Sequence, residues 1–370
     1  MNRPMLRDPL TKKILRWGWG MALAFHGLLN AFLPNSKSQP KVFFGGARPG
    51  DVGGPLVKVK RLRALFPEQF WGFNVVYTLS NTPYLPDFAL WLLRVRGVPI
   101  VHNQNGVFYS GWYDGDWEKQ NRRMARTFHQ ADYVFFQSEF CKLSAEKFLG
   151  ARVGAGEILY NAVDTTFFCP PADEAPRPEK PFRFLLTGKI DAHMFYRVES
   201  TLKGLAAYQG EAAELIVAGW MDATAQTQAE QLVQELGLEG RVRFTGRYSQ
   251  EEAPKIYQDA DAYVMTKHND PCPNTVLEAL ASGLPVLYSD TGGVQELVGD
   301  AGVGLECEQG WGYPQVPSAD AIAQGMSDII ANQEEYSIRA RSRAVERFDI
   351  RDWERRHGEI FTQVLGKSNV

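Results

Sequence analysis

The sequence has few cysteines, four in 370 residues, with no CxxC pair and no spacing typical of a metal site. Scattered thiols favour a cytosolic protein with reduced cysteines, although pairing among the four stays open. An excess of one charge is also lacking, because the formal net charge is only −3 at pH 7, and we therefore expect no nucleic-acid partner. The 44% hydrophobic content can bury two cores, and two domains are the expectation for this length. The cysteines are Cys141, Cys169, Cys272 and Cys307.

Residues 1–40 lack the small-residue cleavage site of a secretory signal. Arg16, His26 and Asn30 interrupt the apolar run over residues 12–33, which disfavours a membrane-spanning helix. The basic start and the two tryptophans of this run suit a helix that lies in a membrane interface. A helix that covers a hydrophobic patch of its own protein explains the same pattern, and both interpretations stay open. The first predicts membrane-surface contact through residues 12–33 and a cytoplasmic protein held peripherally on the inner face of the membrane.

The segment from His268 to Pro285 predicts a loop that opens a helix. Its prolines and Asn-Asp pair forbid regular structure up to Asn274, and a short apolar helix follows until Gly283 ends it. Backbone N–H groups at a helix N-terminus favour an anion, and two carboxylates, Asp270 and Glu278, lie close by in the sequence. A phosphate-bearing ligand could bind its phosphate on the amides and its hydroxyls on the carboxylates. An ordinary loop–helix junction with solvated acids explains the spacing equally well.

This segment resembles the signature of the retaining group 1 glycosyltransferases (glycosyltransferase family 4). The signature is an acid, seven residues, then Glu, followed by Ala-x-Ala-x-Gly-x-Pro-Val. The matching residues here are Asp270, Glu278, Ala279, Ala281, Gly283, Pro285 and Val286, with aspartate in place of the usual first glutamate. The resemblance implies the α/β architecture called GT-B, in which two Rossmann-like, doubly wound parallel-sheet domains face a central cleft.

The alternation of strands and helices, together with this resemblance, predicts five segments. They are an N-terminal amphipathic extension (1–40), an acceptor-side Rossmann-like domain (41–168), a proline-rich linker (169–181), a nucleotide-sugar-binding Rossmann-like domain (182–350) and a C-terminal helix that crosses back to the first domain (351–370).

The first predicted domain carries two candidate ligand contacts. Gly53 and Gly54 precede a helix and allow close approach of a ligand to the backbone, although a plain strand–helix turn has the same composition. His102 follows the apolar strand 99–101 and is expected in a loop at the carboxyl end of the sheet. The resemblance implies that a histidine here helps to position the transferred sugar.

The second predicted domain carries most of the candidate site. The resemblance implies that Lys189 and Arg197 grip the diphosphate of a nucleotide-sugar and that Glu278 holds the ribose hydroxyls. Asp270, with His102, would orient the transferred sugar, which completes the catalytic set of Asp270, His102, Lys189 and Arg197. The donor-binding set is Glu278, Asn274, Thr275, Val276, Gly188, Gly53, Gly54, Gly292 and Gly293.

The triplet Asp259-Ala260-Asp261 has the form of a metal-binding DxD, but it begins a strand, and we expect no essential metal. No cofactor is expected beyond the nucleotide-sugar co-substrate. The sequence therefore predicts a retaining glycosyltransferase whose acceptor is a glycan or a lipid-linked or membrane-proximal molecule, as in surface polysaccharide or glycolipid synthesis. Two alternatives stay open: a sugar-nucleotide epimerase of the same architecture, and a nucleotide-sugar-binding protein without transferase activity.

Overall fold

A computed structural model describes residues 10–30, 32–33, 39–50, 54–80, 84–172, 181–210 and 212–367. Gly53 and residues 173–180, which make up most of the expected linker, lie outside the described part of the chain.

The chain divides into two compact units, each built on its own parallel sheet. Among the described residues, the first unit comprises those up to Tyr160, Trp311–Tyr313 and those from Asp352 onward. The second unit comprises Asn161–Gly310 and Pro314–Arg351. The predicted α/β fold class is therefore confirmed, while the domain boundaries and roles expected from the sequence stay predictions.

The sheet of the first unit has the strand order β1-β2-β3-β4-β5 in the part of the chain that is described, and all neighbours are parallel. Every residue of β2, β3 and β4 is buried, as expected for strands covered by helices on both faces. The elements are α1 (Leu10–Asn30), β1 (Val42–Phe43), α2 (Gly54–Leu65), β2 (Val75–Leu79), α3 (Asp87–Val95), β3 (Ile100–Gln104), α4 (Trp117–Gln130), β4 (Tyr133–Phe136), α5 (Glu139–Leu149) and β5 (Ala155–Ile158).

The sheet of the second unit has the order β11-β10-β9-β6-β7-β8 over the described residues and is again parallel throughout. From β6 the chain builds outward through β7 and β8, and then returns to the other side of β6 with β9. The strand order therefore reverses between β6 and β9, which is where open α/β sheets bind ligands. The elements are β6 (Phe182–Thr187), α6 (Phe195–Ala207), β7 (Ala213–Ala218), α7 (Ala223–Glu235), β8 (Val242–Gly246), α8 (Ala253–Gln258), β9 (Ala262–Met265), α9 (Asn274–Ala281), β10 (Val286–Ser289), α10 (Val294–Val298), β11 (Gly302–Leu305), α11 (Ala319–Ala331), α12 (Gln333–Arg347) and α13 (Ile350–Lys367).

The last helix, α13, packs into the first unit from Asp352 onward. The hydroxyl of Tyr77 on β2 lies 3.2 Å from Nε2 of His357, and the Arg356 guanidinium forms an ion pair with Glu157 of β5. His357 is fully buried and its Nδ1 lies 2.8 Å from the carbonyl oxygen of Trp353 one turn earlier. These contacts tie α13 to the sheet.

Two segments differ from the sequence-based expectations. Residues 158–164 resemble a strand of the family that ends in Asn-Gly-Val-Asp, so a strand was expected there. Strand β5 ends at Ile158 instead, and Asn161 lies in an irregular segment after it. Helix α12 was not predicted at all. Its sequence has no wide apolar face, because the residues that it buries are the small side chains Ala340 and Ala344.

Helix α1 packs one face onto the first unit. Leu23 and Asn30 are buried, and Asn30 donates to the carbonyl oxygen of Phe70 and accepts from the Gly72 amide. A Cβ placed on Gly27 would lie 3.6 Å from Leu92 of α3, so the two helices approach closely there. The interpretation as a covering helix therefore holds for this face. Among the described residues, no helix is both long enough and apolar enough to cross a membrane.

Two buried histidines of the first unit are expected to make stability fall in mild acid. Burial lowers the pKa of His102 to about 4 and that of His357 to about 3, from an ordinary value of 6.5. Between pH 6.5 and about 4 the unfolded chain therefore binds more protons at these residues than the folded chain does. The free energy of unfolding should therefore decrease as the pH is lowered through this window, by up to about 1.4 kcal/mol per pH unit for each histidine. Urea titrations of the wild type and of His102→Gln at several pH values measure how steeply the free energy of unfolding depends on pH. The same dependence in both proteins would contradict the assignment to His102.

Candidate functional site

Three loops meet at the carboxyl edge of the second sheet, after the adjacent strands β6, β9 and β10. The amide of Gly293 donates to the carbonyl oxygen of Asp270 at 2.9 Å, and the amide of Asn269 donates to the Thr291 hydroxyl at 3.2 Å. The amide of His268 donates to the Tyr196 hydroxyl of α6 at 3.1 Å. The structure thus joins the loops after β9 and β10, and the first turn of α6, which follows β6, contacts the loop after β9.

Helix α9 begins at Asn274, as expected, and Pro273 occupies the N-cap position without a side-chain cap. Its apolar side chains are buried, which seats the helix against the sheet. The first-turn N–H groups of a helix have no intrahelical partner and favour an anion. The Val276 amide is an exception, because it donates to the carbonyl oxygen of Pro273 at 3.1 Å. Val276 was expected among the donor contacts, and its bonded amide and buried side chain leave Asn274 and Thr275 as the candidates.

Glu278 lies one turn into α9 and is half-buried. Its Oε2 accepts a hydrogen bond from the hydroxyl of Tyr257 at 2.8 Å. Burial, with the Glu278 charge nearby, raises the pKa of Tyr257 well above its ordinary value. The phenol therefore stays protonated and acts as a donor that fixes the carboxylate. Sequence reasoning missed Tyr257, since it lies on α8, outside every recognised motif.

Asp270 holds the turn that leads into α9. Its carboxylate pairs with Lys267 at 2.7 Å and accepts from the Cys272 amide at 3.1 Å. Asn269, just before it, adopts a positive φ of 52°, which asparagine tolerates better than most residues. The Lys267 pair was not foreseen, and it holds the Asp270 side chain in place.

Asn161 supports the same turn from the irregular segment after β5. Its backbone amide donates to Sγ of Cys272 at 3.3 Å, and its side-chain Nδ2 donates to the carbonyl oxygen of Cys272 at 2.9 Å. The sequence matched this residue to a motif of the family without assigning it a function. The structure shows it as a positioning residue for the turn between Asp270 and α9.

Gly292 lies against the Asp270 turn. Its φ is +76°, and a Cβ there would lie 2.5 Å from the carbonyl oxygen and 2.8 Å from the amide nitrogen of Asp270. Backbone atoms cannot yield as a flexible side chain does, so only glycine fits. The close approach that the structure shows at Gly292 is to the protein's own backbone, and contact of the Gly292-Gly293 pair with a donor stays a prediction.

Replacing Gly292 with alanine is expected to displace the Asp270 turn and to destabilise the fold by at least about 1–3 kcal/mol, from the positive φ alone. Gly310→Ala is the matched control, since a Cβ on Gly310 meets nothing within 4 Å. Urea titration of both variants measures the difference. Equal midpoints for the two would contradict the close approach.

The turn after β6 presents two cations. Gly188 has a φ of +136°, and Lys189 follows it with an exposed side chain whose Nζ lies 4.9 Å from the centroid of the Trp220 ring. Arg197 is the third residue of α6 and is only 4% exposed. Its Nη2 donates to the carbonyl oxygen of Thr187 at 3.0 Å, and its buried Nε has no hydrogen-bond partner among the described residues. The guanidinium therefore lies directly behind the Gly188 turn.

Trp220 and Arg247 join this cluster and were missed by sequence reasoning. The Arg247 guanidinium carbon lies 5.6 Å from the centroid of the Trp220 ring, on which Lys189 also packs. Trp220 follows β7 and Arg247 follows β8, so both occupy carboxyl ends of strands. Ligands of open α/β sheets bind at the carboxyl ends of the strands, and this rule could have identified Trp220 and Arg247 from the sequence.

His102 does not lie in a loop, as the sequence analysis expected, but in the middle of β3 in the first unit. It is 1% exposed, its Nδ1 lies 2.8 Å from the Thr78 hydroxyl, and its Nε2 lies 3.1 Å from Oε1 of Gln104. Both ring nitrogens are thus engaged inside the core. The error arose because the strand continues through the polar residues up to Gln104, which are buried and hydrogen-bonded. Gly54 opens α2 as expected, while Gly53 lies outside the described residues.

The Asp259-Ala260-Asp261 triplet makes structural contacts. Asp259 forms ion pairs with Arg183 and Arg243, and Asp261 accepts from the Arg183 backbone amide at 2.8 Å. Both acids thereby fasten the segment that leads into β9 to strands β6 and β8. The four cysteines all lie in the described part of the chain, and no disulfide joins them there.

Comparisons with known proteins agree with this geometry. Residues 174–346 match the model of the family described as glycosyl transferases group 1. The D-inositol 3-phosphate glycosyltransferase of Corynebacterium urealyticum is 37% identical over 277 residues, which cover 68% of this chain and 64% of that relative. The chain thus spans less than two thirds of the length of this relative.

Two solved structures share the fold. Sucrose-phosphate synthase from Thermosynechococcus elongatus has a TM-score of 0.65 at 20% identity, covering 85% of this chain and 78% of that one. Anabaena Alr3699/HepE in complex with UDP also has a TM-score of 0.65, at 18% identity, and the match covers 84% of this chain and 82% of that one. At such identities these structures show the fold alone, and the fold is the predicted GT-B type. Residues 174–346, which form most of the second unit, therefore belong to the group 1 glycosyltransferase family.

Proposed function

We propose that this protein is a retaining glycosyltransferase that moves a sugar from a nucleotide-sugar donor to an acceptor. The observation that carries the proposal is the meeting of three loops at the carboxyl edge of β6, β9 and β10, where the strand order reverses. This edge gathers two cations, a helix N-terminus and a half-buried carboxylate. A nucleoside diphosphate bears the complementary groups: two phosphates for the cations and ribose hydroxyls for the carboxylate.

In this proposal each side chain of the second unit has one task. Glu278 accepts hydrogen bonds from the ribose hydroxyls, with Tyr257 fixing its carboxylate. Lys189 and Arg197, with the first-turn amides at Asn274 and Thr275, bind the diphosphate through charge-assisted hydrogen bonds. Gly188, Gly292 and Gly293 shape the loops that carry these groups.

Catalysis in the proposal depends on charge that develops on the leaving diphosphate. As the bond from the sugar to the phosphate breaks, negative charge grows on the phosphate oxygens, and prearranged cations stabilise it more than they stabilise the ground state. Asp270 orients the transferred sugar, and ligand binding has to compete with its Lys267 pair. For His102 we propose an indirect role in sugar positioning: its contacts with Thr78 and Gln104, which are buried with it, hold the end of β3 in place. No metal takes part in the proposed reaction.

We assign the acceptor to the first unit and the donor to the second. A glycan or a lipid-linked, membrane-proximal acceptor is proposed, as in the assembly of surface polysaccharide or glycolipid, on the inner face of the membrane. Helix α1 supports this assignment through its large exposed apolar side chains. UDP is the first nucleotide to test, because Anabaena Alr3699/HepE, which shares the fold, binds it.

Product analysis tests the reaction type. The protein is incubated with radiolabelled nucleotide-sugars, with and without a membrane lipid extract as the source of acceptor. Label that enters the lipid fraction only when extract is present supports the transferase. Conversion of the nucleotide-sugar into an isomer without extract would establish an epimerase instead. Binding without any turnover in either condition would leave a binding protein.

A further inference from the structure

Among the described residues, none covers the face of helix α1 that lies opposite its packed side. The packed side carries Leu23 and Asn30, whereas the opposite side shows large apolar side chains at intervals of three or four residues. At about 100° per residue the helical members of this row fall within an arc of roughly 80°. The row consists of Ile14, Trp17, Met21, Phe25 and Leu28, exposed by 59, 71, 55, 62 and 37%, with Phe32 just beyond the helix at 83%.

The exposed apolar surface continues onto neighbouring elements. Helix α3, which α1 contacts, exposes Phe88, Trp91 and Val95 at the spacing of one helix face. Phe70 and Trp71 are also about half exposed, and the Trp71 ring lies 5.1 Å from that of His26 on α1. We call the outer row of α1, these three residues of α3 and the pair Phe70-Trp71 the docking face.

The charged residues in the sequence of α1 and the segment after it have one sign. Residues 9–50 contain no aspartate or glutamate and six lysines or arginines, so this segment carries a formal charge of +6 in a chain of net charge −3. Arg48 lies over the Trp19 ring at 5.9 Å, which sets a cation beside the aromatic residues of α1. The cations are Lys12, Lys13, Arg16, Lys37, Lys41 and Arg48.

We propose that the docking face binds an anionic lipid surface, with α1 lying along the plane of the bilayer. Aromatic and aliphatic side chains on the outer side of α1 and α3 enter the boundary between headgroups and acyl chains, where tryptophan is favoured. The basic segment is attracted to anionic headgroups. The same charge opposes a second copy as the occupant, since two such segments, each with a formal charge of +6, would repel each other. This inference deepens the acceptor part of the proposed function, while nucleotide binding by the second unit does not depend on it.

Flotation of the full-length protein with lipid vesicles tests the proposal. One set of vesicles is phosphatidylcholine alone, and the other is equal parts phosphatidylcholine and phosphatidylglycerol. We expect flotation with the anionic set and a loss of binding as salt is raised. The double variant Trp17→Glu/Phe25→Glu should bind the anionic vesicles at least about tenfold more weakly, because two exposed apolar side chains become charged. Trp91→Glu should weaken binding severalfold if α3 belongs to the face.

The matched control is Ile338→Glu, which charges an exposed apolar side chain of α12 in the second unit and should float like the wild type. Equal flotation of the double variant and the wild type overturns the proposal, and so does the absence of flotation with anionic vesicles. A dimer in light scattering that the double variant dissociates, without flotation, assigns the face to a second copy. A UDP-dependent thermal shift, recorded on the same samples, separates the two ideas. A rise in Tm with UDP but no flotation contradicts only the membrane inference. Flotation without any nucleotide binding contradicts only the proposed function.

Discussion

Replacing Glu278 with alanine is expected to lower the affinity for the donor nucleotide by roughly a hundredfold. The carboxylate is proposed to accept charge-assisted hydrogen bonds from the ribose, and the loss of about 3 kcal/mol corresponds to two powers of ten in Kd. The variant also leaves the buried Tyr257 hydroxyl without the acceptor that it has now, so a moderate loss of stability accompanies the loss of binding. Calorimetric titration with the nucleoside diphosphate measures the first effect, and thermal unfolding without ligand measures the second.

Two further variants separate these effects. Glu278→Gln keeps an oxygen that can accept from Tyr257 but removes the charge, so it should retain stability and still lose most of the affinity. Tyr257→Phe keeps the carboxylate and removes only its support, so binding should fall severalfold at most. If Glu278→Ala and Glu278→Gln both bind nucleotide like the wild type, the ribose assignment is wrong.

Replacing Lys189 with alanine is expected to reduce kcat/KM by a factor of about 10²–10³, in the range found when one group that stabilises transition-state charge is removed. The side chain is exposed at the turn after β6, so the fold should be unaffected. The physical reason is that the ammonium group is proposed to stabilise the charge that grows on the leaving diphosphate, and the neighbouring cation, Arg197, is buried. Release of nucleoside diphosphate from the donor measures the rate.

Lys203→Ala serves as the matched control for Lys189. It removes a lysine from α6 whose described contact is an ion pair with Glu199 in solvent, and such pairs contribute little. The rate with this variant should equal the wild-type rate. A comparable loss in both variants would point to a general effect of charge on the protein, and no loss in Lys189→Ala would remove this residue from the site.

The second unit was predictable from sequence because its motifs lie in the turns that end its strands. The loop from Asp270 to Asn274, the helix start and the turn at Gly283 each follow from local residue preferences, since proline, asparagine and glycine restrict the backbone directly. What local preferences cannot supply is the order of strands in the sheet. That Gly292 meets the backbone of Asp270 depends on β9 and β10 being neighbours, which only the folded sheet decides.

The first unit was harder to predict for an identifiable reason. The buried end of β3 carries histidine, asparagine and glutamine, and a polar run after an apolar strand resembles a loop. In the folded protein Thr78 and Lys58 supply hydrogen bonds from other elements, to His102 and Asn103, and compensate for the burial of these groups. Such partners lie far away in sequence and leave no local signal. The N-terminal helix packs one face on the first unit, as one of the two sequence interpretations expected, while contact of its other face with a membrane stays a prediction.

The central claim is that the second unit binds a nucleotide-sugar, and a thermal-shift series tests it most directly. The purified chain is heated with UDP, GDP, ADP and dTDP and with their common sugar conjugates. A ligand that binds only the folded state, at a hundred times its Kd, stabilises by about 2.7 kcal/mol, which is enough to raise Tm by several degrees. We expect one nucleotide series to raise Tm in the wild type and to have no effect on Glu278→Ala. If no nucleotide raises Tm, or if the rise persists in Glu278→Ala, the proposed donor site is contradicted.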